Sequence, residues 1–588
     1  MPSAEPLVQK SDKEDLWSLR HSTAHVMAHA VMRIFPEAKF AIGPPVQDPP
    51  GFYYDMELPR SLTPEDLQEI EERMREIVRA DYPFVHEEWN RERATAFFGD
   101  RNQTYKLRLI EEKSEETAGE TVHVYHSDEF TDLCKGPHVT STKECKHFKL
   151  LTVSAAYWKG DASQEQLQRL YGTVWRTKED LDAYLRQREE AQKRDHRKLG
   201  KELQLFEQHP VASGAFFWLH KGTILYNILS EKSRRFHLRE GYMEVRTPLV
   251  FEKSLWETSG HWEYYQEDMF TFQQGDQVFG LKPMNCPAHM LMYKNAKRSY
   301  RDLPLRYADQ GVLHRNELAG VLGGLTRARQ FCQDDAHIFI MESQIEEEIG
   351  RILKMIHRIY TPFDLPYEAK LSTRNPEKAM GDSALWDRAE TALEKALKAH
   401  NLSYEIQPNE AAFYGPKIDF NVRDAIGRIW QLATVQLDFN LPERFDLTYV
   451  DADNTEKQPV VVHRAIYGSF ERFIGILIEH YEGKFPLWLS PVQVKVLTVS
   501  SPSVEYAKQV VQRLQNAELR VEGDLGDEKI GAKIRAARLQ RVPYMLVIGQ
   551  KEVESESVAV RSREKGDEGP QPLQDFVDRV VEESQMEF

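Results

Sequence analysis

The chain has 588 residues, 41% hydrophobic and 29% charged, with a net charge of −16. That length exceeds one core, so roughly three or four domains are expected. The composition is that of an ordinary globular protein, and the lack of any run of about 18 apolar residues excludes a helical membrane span. The acidic balance speaks against a uniformly basic nucleic-acid-binding surface, although one local basic strip suffices in a large enzyme.

In chain order, Met1-Pro2-Ser3-Ala4-Glu5 lacks the basic and apolar segments of a signal peptide. Residues 12–35 read as an amphipathic helix with His21, His25 and His29 on one face. Gly43-Pro44-Pro45 and Asp48-Pro49-Pro50-Gly51 mark turns. Thr63-Pro64-Glu65-Asp66 opens another helix, with a cap residue, a first-turn proline and early acids. Helices and alternating segments then mix to about residue 175, which implies an α+β region. Cys134-x-x-x-His138 falls inside it, and together with His21-x-x-x-His25 its spacing alone reads as a zinc site. The four cysteines, Cys134, Cys145, Cys286 and Cys332, are scattered, which fits a reducing cytoplasm and no disulfide framework.

Residues 177–205 are polar with alternating charge and read as a solvent-exposed connecting helix. A large central region, 206–487, follows. Within it Leu313-His314-Arg315-Asn316-Glu317, Arg327, Phe331 and Gln333-Asp334-Asp335-Ala336-His337 concentrate the chemistry. Arg315 and Arg327 suit phosphate oxygens, because a guanidinium presents a planar fork of donors and keeps its charge. Phe331 offers a face for a base, Asp335 a partner for an ammonium group, and His337 a metal ligand. Strands Leu305–Ala308 and His337–Ile340 are expected on either side. The tail alternates: strand 494–499, helix 504–514, strand 519–521, helix 529–539, strands 544–548 and 558–561. That is a small α/β domain. Its stretch Lys529, Lys533, Arg535, Arg538, Arg541 is a basic strip, which charge alone cannot distinguish from a solvated helix face. No Gly-x-x-x-x-Gly-Lys-Ser/Thr string is present, so a P-loop ATPase has no support.

These segments carry a resemblance. His21-Ser22-Thr23-Ala24-His25, Asp132-Leu133-Cys134-Lys135-Gly136-Pro137-His138, Lys282-Pro283-Met284-Asn285-Cys286-Pro287, His314-Arg315-Asn316-Glu317, Gln333-Asp334-Asp335-Ala336-His337, Phe413-Tyr414-Gly415-Pro416-Lys417, Thr434-Val435-Gln436-Leu437-Asp438-Phe439 and His463-Arg464-Ala465-Ile466 occur in the order found in threonyl-tRNA synthetases. From His21 to Arg561 the chain resembles that class II family. Motif 1 is similar to the helix 224–238 and the strand ending at Pro248, motif 2 to the stretch around Arg315, and motif 3 to Gly468-Ser469-Phe470-Glu471-Arg472 and the apolar helix after it.

The resemblance implies a multidomain α+β and α/β protein. It places an α+β editing domain at 1–176, a linker helix at 177–205, a class II antiparallel-sheet catalytic domain at 206–487 and an α/β anticodon-binding domain at 488–588. It implies a homodimeric, cytoplasmic ligase that joins threonine to tRNA(Thr) with ATP and Mg²⁺. By resemblance Arg315 and Arg472 are catalytic and, with Glu317, Arg327, Phe331, Lys417 and Gln431, hold ATP. Gln333, Asp335, Tyr414 and Gln436 hold threonine, and His261 assists transfer to tRNA. Cys286, His337 and His463 correspond to the ligands of one Zn²⁺ per subunit; they lie too far apart for spacing to join them. A metal that binds both the amino and β-hydroxyl groups of threonine rejects valine, but serine passes, and a missing methyl is worth only about 1–3 kcal/mol. A hydrolytic site is the remedy, and His21, His25, Lys106, Asp132, Cys134 and His138 correspond to it, without a metal in this family. Lys529, Arg535, Glu552 and Arg561 correspond to anticodon-reading positions. The small ubiquitin-like module found at the start of many bacterial members is expected to be absent. Ala288, Gly323, Gln330, Cys332 and Ala433 depart from the family pattern without removing a ligand or phosphate contact. A non-catalytic RNA-binding regulator and an editing-only hydrolase are the competing readings; the intact central strings disfavour both.

Overall fold

The computed structural model describes residues 12–586 apart from 48, 117–120, 162 and 378, so Met1 to Glu5 and the turn residue Asp48 lie outside the described residues. The chain divides into two units, Met1–Glu189 and Glu190–Phe588. No helix among the described residues is long and apolar enough to cross a membrane.

In the first unit the helix Asp12–Ile34 buries Met27, Ala30 and Val31 with Phe52, Leu170 and Val174. Contrary to the amphipathic expectation, every residue from Ser22 to Val31 is buried. The strands Gly51–Glu57 and Gln166–Trp175 and the helix Pro64–Ala80 all pack against it, so its polar row of histidines is interior. An antiparallel sheet orders Lys39–Phe40, Gly51–Glu57, Gln166–Trp175 and His147–Tyr157. The helix Pro64–Ala80 starts where the sequence places it: Thr63 and Asp66 form a reciprocal capping box. A smaller sheet, Val85–Asn90, Thr121–Ser127 and Phe130–Leu133, delivers Asp132 and the loop carrying Cys134 and His138.

Two helices stand where one connecting helix is expected, the first of them running across the division at Glu189. Lys178–Arg194 ends before Asp195, whose carboxylate caps His196–Glu202 by accepting from the Arg197 amide. An eight-stranded sheet then runs Met243–Glu244, Leu305–His314, Gln330–Ile340, Val460–Ser469, Ile429–Asp438, Lys417–Arg423, Tyr367–Ser372 and Tyr404–Gln407. Its interior pairs are antiparallel and both edge strands are parallel to their neighbours. The strands around Arg315 reach further than the sequence suggests, so Gln333 to His337 lie on a strand rather than in a loop. The helices His220–Arg239, Ile345–Tyr360 and Phe470–His480 pack their apolar faces into the same core as this sheet.

The tail forms a five-stranded sheet, Val521–Asp524, Val494–Thr498, Tyr544–Ile548, Ser557–Ser562 and Gly566–Pro572, parallel for its first three strands and antiparallel after them. The last strand and the helix Leu573–Glu583 are absent from the sequence reading, although Leu573, Phe576, Val577 and Val580 keep helical spacing and face the core.

Candidate active site and a second Cys/His cluster

One strand face organises the centre. Successive residues of Gln330–Ile340 alternate sides, so Phe331, Gln333, Asp335 and His337 share a face. The other side of the strand buries Cys332, Asp334 and Ala336. Asp334 accepts from the Ile466 and Tyr467 amides at 3.0 and 2.9 Å, beside the register shift where the two strands part. Burial raises its carboxyl to about 7.

At the Phe331 end a cavity of about 310 Å³ is lined by Arg315, Glu317, Arg327, Phe331, Gln333, Gln431 and Arg472, among others. Arg315 lies 5.1 Å from the Phe331 ring centre, a cation–π contact. Arg327 stands 3.9 Å from Glu317. Arg472 donates to the carbonyls of Thr326 and Gln431 at 3.0 and 3.3 Å. Burial, then the charges of Arg327 and Arg315, push the Arg472 guanidinium down, as expected where cations converge on a place for an anion. Lys417 is not part of that lining: its ammonium pairs with Asp419, which also accepts from Gln431 at 2.7 Å and Thr434 at 2.8 Å.

At the other end Cys286, at the start of the helix Cys286–Lys294, meets His337 and His463, which face each other across neighbouring strands. One ligand atom from each lies within 4.8 Å of the others, and all three residues are buried. His337 Nδ1 is 2.7 Å from His289 Nδ1, and His463 Nε2 is 2.9 Å from Asp438 Oδ2. The remaining ring nitrogens, His337 Nε2 and His463 Nδ1, are buried without a hydrogen-bond partner. Orphaned nitrogens beside a thiol, each ring braced behind, fit a bound transition metal. Burial, then Asp335 and Asp438, drive the Cys286 thiol well up, and burial drives the His337 imidazole well down. A divalent cation stabilises the thiolate that burial disfavours, and it requires the neutral imidazole that burial already favours.

Asp335 accepts from Asn285 at 3.0 Å and is raised by burial. Tyr414 sets its ring 5.4 Å from His463, and Gln436 pairs with His463 across the strands. His261 is fully buried, 2.8 Å from Ser259 Oγ and 3.1 Å from Met284 Sδ; burial and then His463 lower it to about 3, so its ring is neutral. Asn285, His289 and Asp438 are missing from the sequence-derived set. Two of them stand in the quoted strings, but only strand register shows that they brace a ligand.

The second cluster lies within the first unit. Cys134 Sγ is 3.2 Å from both His21 Nε2 and His138 Nε2, and it accepts from the Gly136 amide at 3.2 Å. His138 Nδ1 is 3.0 Å from Ser22 Oγ. His25 Nε2 is 3.3 Å from Asp132, whose carboxylate takes Lys106 at 2.5 Å and the Tyr54 hydroxyl at 2.5 Å. Burial, before any neighbour, lowers His21, His25 and His138. The quartet's ligand atoms also lie within 4.8 Å of one another, so its geometry alone admits a metal. Tyr54, which no motif announces, is the added member. His29 turns away from the quartet and stacks on Phe130 at 5.9 Å.

In the tail, Lys529, Arg535 and Arg538 are exposed, but Lys533 is not a surface charge. Its ammonium points inward to Thr498 Oγ1 and the carbonyls of Thr498, Asp524 and Gly526, at 2.6–3.1 Å. Glu552 caps the Gly549 amide at 2.9 Å, and Arg561 pairs with Asp567 at 2.6 Å.

Comparison with known proteins bears on all three regions. Family profiles match residues 122–171 as the threonyl and alanyl tRNA synthetase second additional domain, 268–481 as a tRNA synthetase class II core domain, and 493–583 as an anticodon binding domain. The threonine–tRNA ligase of Symbiobacterium thermophilum is 52% identical over 566 residues, covering 96% of this chain and 86% of that protein. The chain belongs to the threonine–tRNA ligase family. The Acetivibrio thermocellus ligase is 50% identical over 96% of the chain and 88% of its own length. Among solved structures, a putative threonyl-tRNA synthetase of Aeropyrum pernix matches with a TM-score of 0.58 and 27% identity over 66% of this chain and 96% of that one. The threonine–tRNA ligase relationship identifies the eight-stranded sheet as the class II core.

Proposed function

We propose that this chain activates L-threonine with ATP, transfers it to the 3′ end of tRNA(Thr), and hydrolyses mischarged seryl-tRNA(Thr) at a separate site. The observation that carries the proposal is the strand face from Phe331 to His337, which joins an arginine-rich cavity to a Cys/His triad with two orphaned nitrogens. ATP, entering as its magnesium complex, lays its base against Phe331 and Glu317 and its phosphates between Arg315, Arg327 and Arg472. The threonine carboxylate attacks the α-phosphorus, forming threonyl-adenylate as the bond to the β-phosphate oxygen breaks and pyrophosphate leaves. No enzyme base is required, so alignment and charge neutralisation supply the acceleration. Asp335 holds the ammonium group, and Gln333, Tyr414 and Gln436 close the amino-acid pocket. Cys286, His337 and His463 would hold Zn²⁺, which supplies a Lewis-acidic site for the amino and hydroxyl groups of threonine. His261, neutral and buried, accepts or relays the proton released when the tRNA ribose attacks. Lys417 orders Gln431 through Asp419.

In the first unit the neutral imidazoles of His21, His25 and His138, with Cys134, orient water on the seryl ester, while the Lys106–Asp132 pair fixes the pocket without a metal. Lys529, Arg535, Glu552 and Arg561 read the anticodon loop, where splayed bases offer their edges. The corresponding domains are 1–176, 177–205, 206–487 and 488–588. A cytoplasmic homodimer fits the apolar groups left exposed around the motif 1 elements, Leu238 at 59%, Met243 at 45% and Val250 at 42%.

The test is amino-acid-dependent ATP–pyrophosphate exchange. Strong exchange with threonine, weaker exchange with serine, none with valine, and loss on chelation are expected. Folded, zinc-loaded protein that exchanges with no amino acid overturns the reading.

A further inference from the structure

His196, within the stretch expected as a linker, hydrogen-bonds Leu325, which lines the arginine-rich cavity. We propose that His196 is a positioning residue: its imidazole spans Glu479 on the motif 3 helix and the Leu325 amide of the motif 2 loop, and so holds that loop at the phosphates. The inference rests on the proposed ATP site.

His196 is 4% exposed. Its Nε2 lies 3.0 Å from the Leu325 amide nitrogen, and its Nδ1 lies 2.6 Å from Glu479 Oε1. An amide N–H only donates, so Nε2 is the acceptor and the ring proton sits on Nδ1, directed at the carboxylate. The His196 amide donates to the same oxygen at 3.0 Å, and Arg428 pairs with the other one. Burial alone would raise Glu479, but the His196 hydrogen bond and Arg428 outweigh it and keep the carboxylate below its ordinary range. Both imidazole nitrogens and both carboxylate oxygens are therefore engaged, so the tautomer is fixed.

The loop is shaped to this ring. Gly324 has φ +66°, and a Cβ there would stand 2.4 Å from His196 Nε2. Glycine serves both the backbone angle and the close approach. The Thr326–Arg327 peptide is also held, because Arg472 Nε donates to Thr326 O at 3.0 Å. Two nearby backbone groups of the loop are thus bound from one helix, at Arg472 and, through His196, at Glu479. Arg327 follows directly. Losing the Leu325 anchor frees the segment that aims Arg327 while leaving Cys286, His337 and Asp335 in place.

Exchange kinetics on the full-length protein separate this role from a structural one. His196→Phe keeps the ring's bulk but cannot accept; His196→Gln offers an amide oxygen in the position of Nε2. For His196→Phe the ATP KM is expected to rise about tenfold, with threonine KM and kcat within about twofold of wild type, the size of effect expected when the loop loses its one hydrogen bond to this ring. His196→Gln is expected to restore most of the ATP KM. An unchanged ATP KM in His196→Phe overturns the inference. So does a parallel rise in both KM values, or failure of a glutamine variant with wild-type Tm to recover. Absence of threonine-dependent exchange in the wild type overturns the proposed function instead.

Discussion

The two Cys/His clusters use the same side chains and differ in how their ring nitrogens are satisfied. In the second unit His337 and His463 are braced from behind by His289 and Asp438, and their other nitrogens have no partner. In the first unit the nitrogens of His21 and His138 that face the thiol of Cys134 are already within 3.2 Å of it. In the first unit's cluster the orphaned nitrogen is His21 Nδ1, the one turned from the thiol, whereas in the second unit's both histidines keep an orphan; a buried nitrogen without a partner favours a cation that it can reach. Identical residue types thus differ in which ring nitrogens they leave open, and the proposed metal centre and the proposed metal-free pocket rest on that difference.

The sharpest way to break this contrast is to remove a ligand from each cluster. Cys286→Ser should abolish bound zinc, measured by mass spectrometry of the metal content, and reduce threonine-dependent exchange by roughly a thousandfold. Cys134→Ser should leave zinc at one per chain; a fall in metal content there would show that both clusters bind metal. Next in size, His138→Ala should slow hydrolysis of seryl-tRNA(Thr) by about a hundredfold, the usual worth of a lost proton-handling group, with pyrophosphate exchange unchanged. The brace can then be tested separately. Asp438→Asn should weaken zinc retention by about 10–100-fold against a competing chelator while the fold persists.

The smallest expected effect concerns buried carboxylates, which the two regions also treat differently. Asp132 sits against Lys106, whereas Glu471 accepts from the Cys332 amide at 2.8 Å and burial raises it to about 7. A carboxyl raised on folding favours the protonated form, so its contribution is full below the unfolded value near 4.5 and is lost as pH rises through about 7. Between pH 5 and pH 8 wild type should lose about 2 kcal/mol relative to Glu471→Gln in chemical denaturation, where the amide mimics the protonated acid. Parallel pH profiles for the two proteins would remove Glu471 from this account.

Much of the candidate site is legible in the chain because its parts occur as short strings: Arg315 with Glu317, Asp335 with His337, Cys134 with His138. Joining Cys286 to His337 and His463 requires resemblance, since strand pairing and the placement of a helix start bring them together. Asp438, His289, Tyr54 and His196 were passed over for a related reason. Each acts by touching a functional group from another element, and no local spacing encodes that contact. Lys533 shows the converse error: a charge count assigns it to a surface strip, whereas four oxygen atoms at the strand ends draw it inside. The fully buried first helix was misjudged because histidines and serines count as polar in a periodicity argument even when the interior satisfies them. The strand Gly566–Pro572 carries glycines and prolines that read as turn, and it still pairs along an edge.

The column of side chains along Gln330–Ile340 also bears on how this enzyme can change over time. Phe331, Gln333, Asp335 and His337 sit on alternate residues, so a single insertion among them would turn the functional groups on one side of it to the opposite face from those on the other. Amino-acid preference here can drift by substitution but not by a change of chain length. Length variation is left to the exposed stretch 318–321, ahead of the anchored residues 324–327, where added residues lengthen a loop and leave the column aligned.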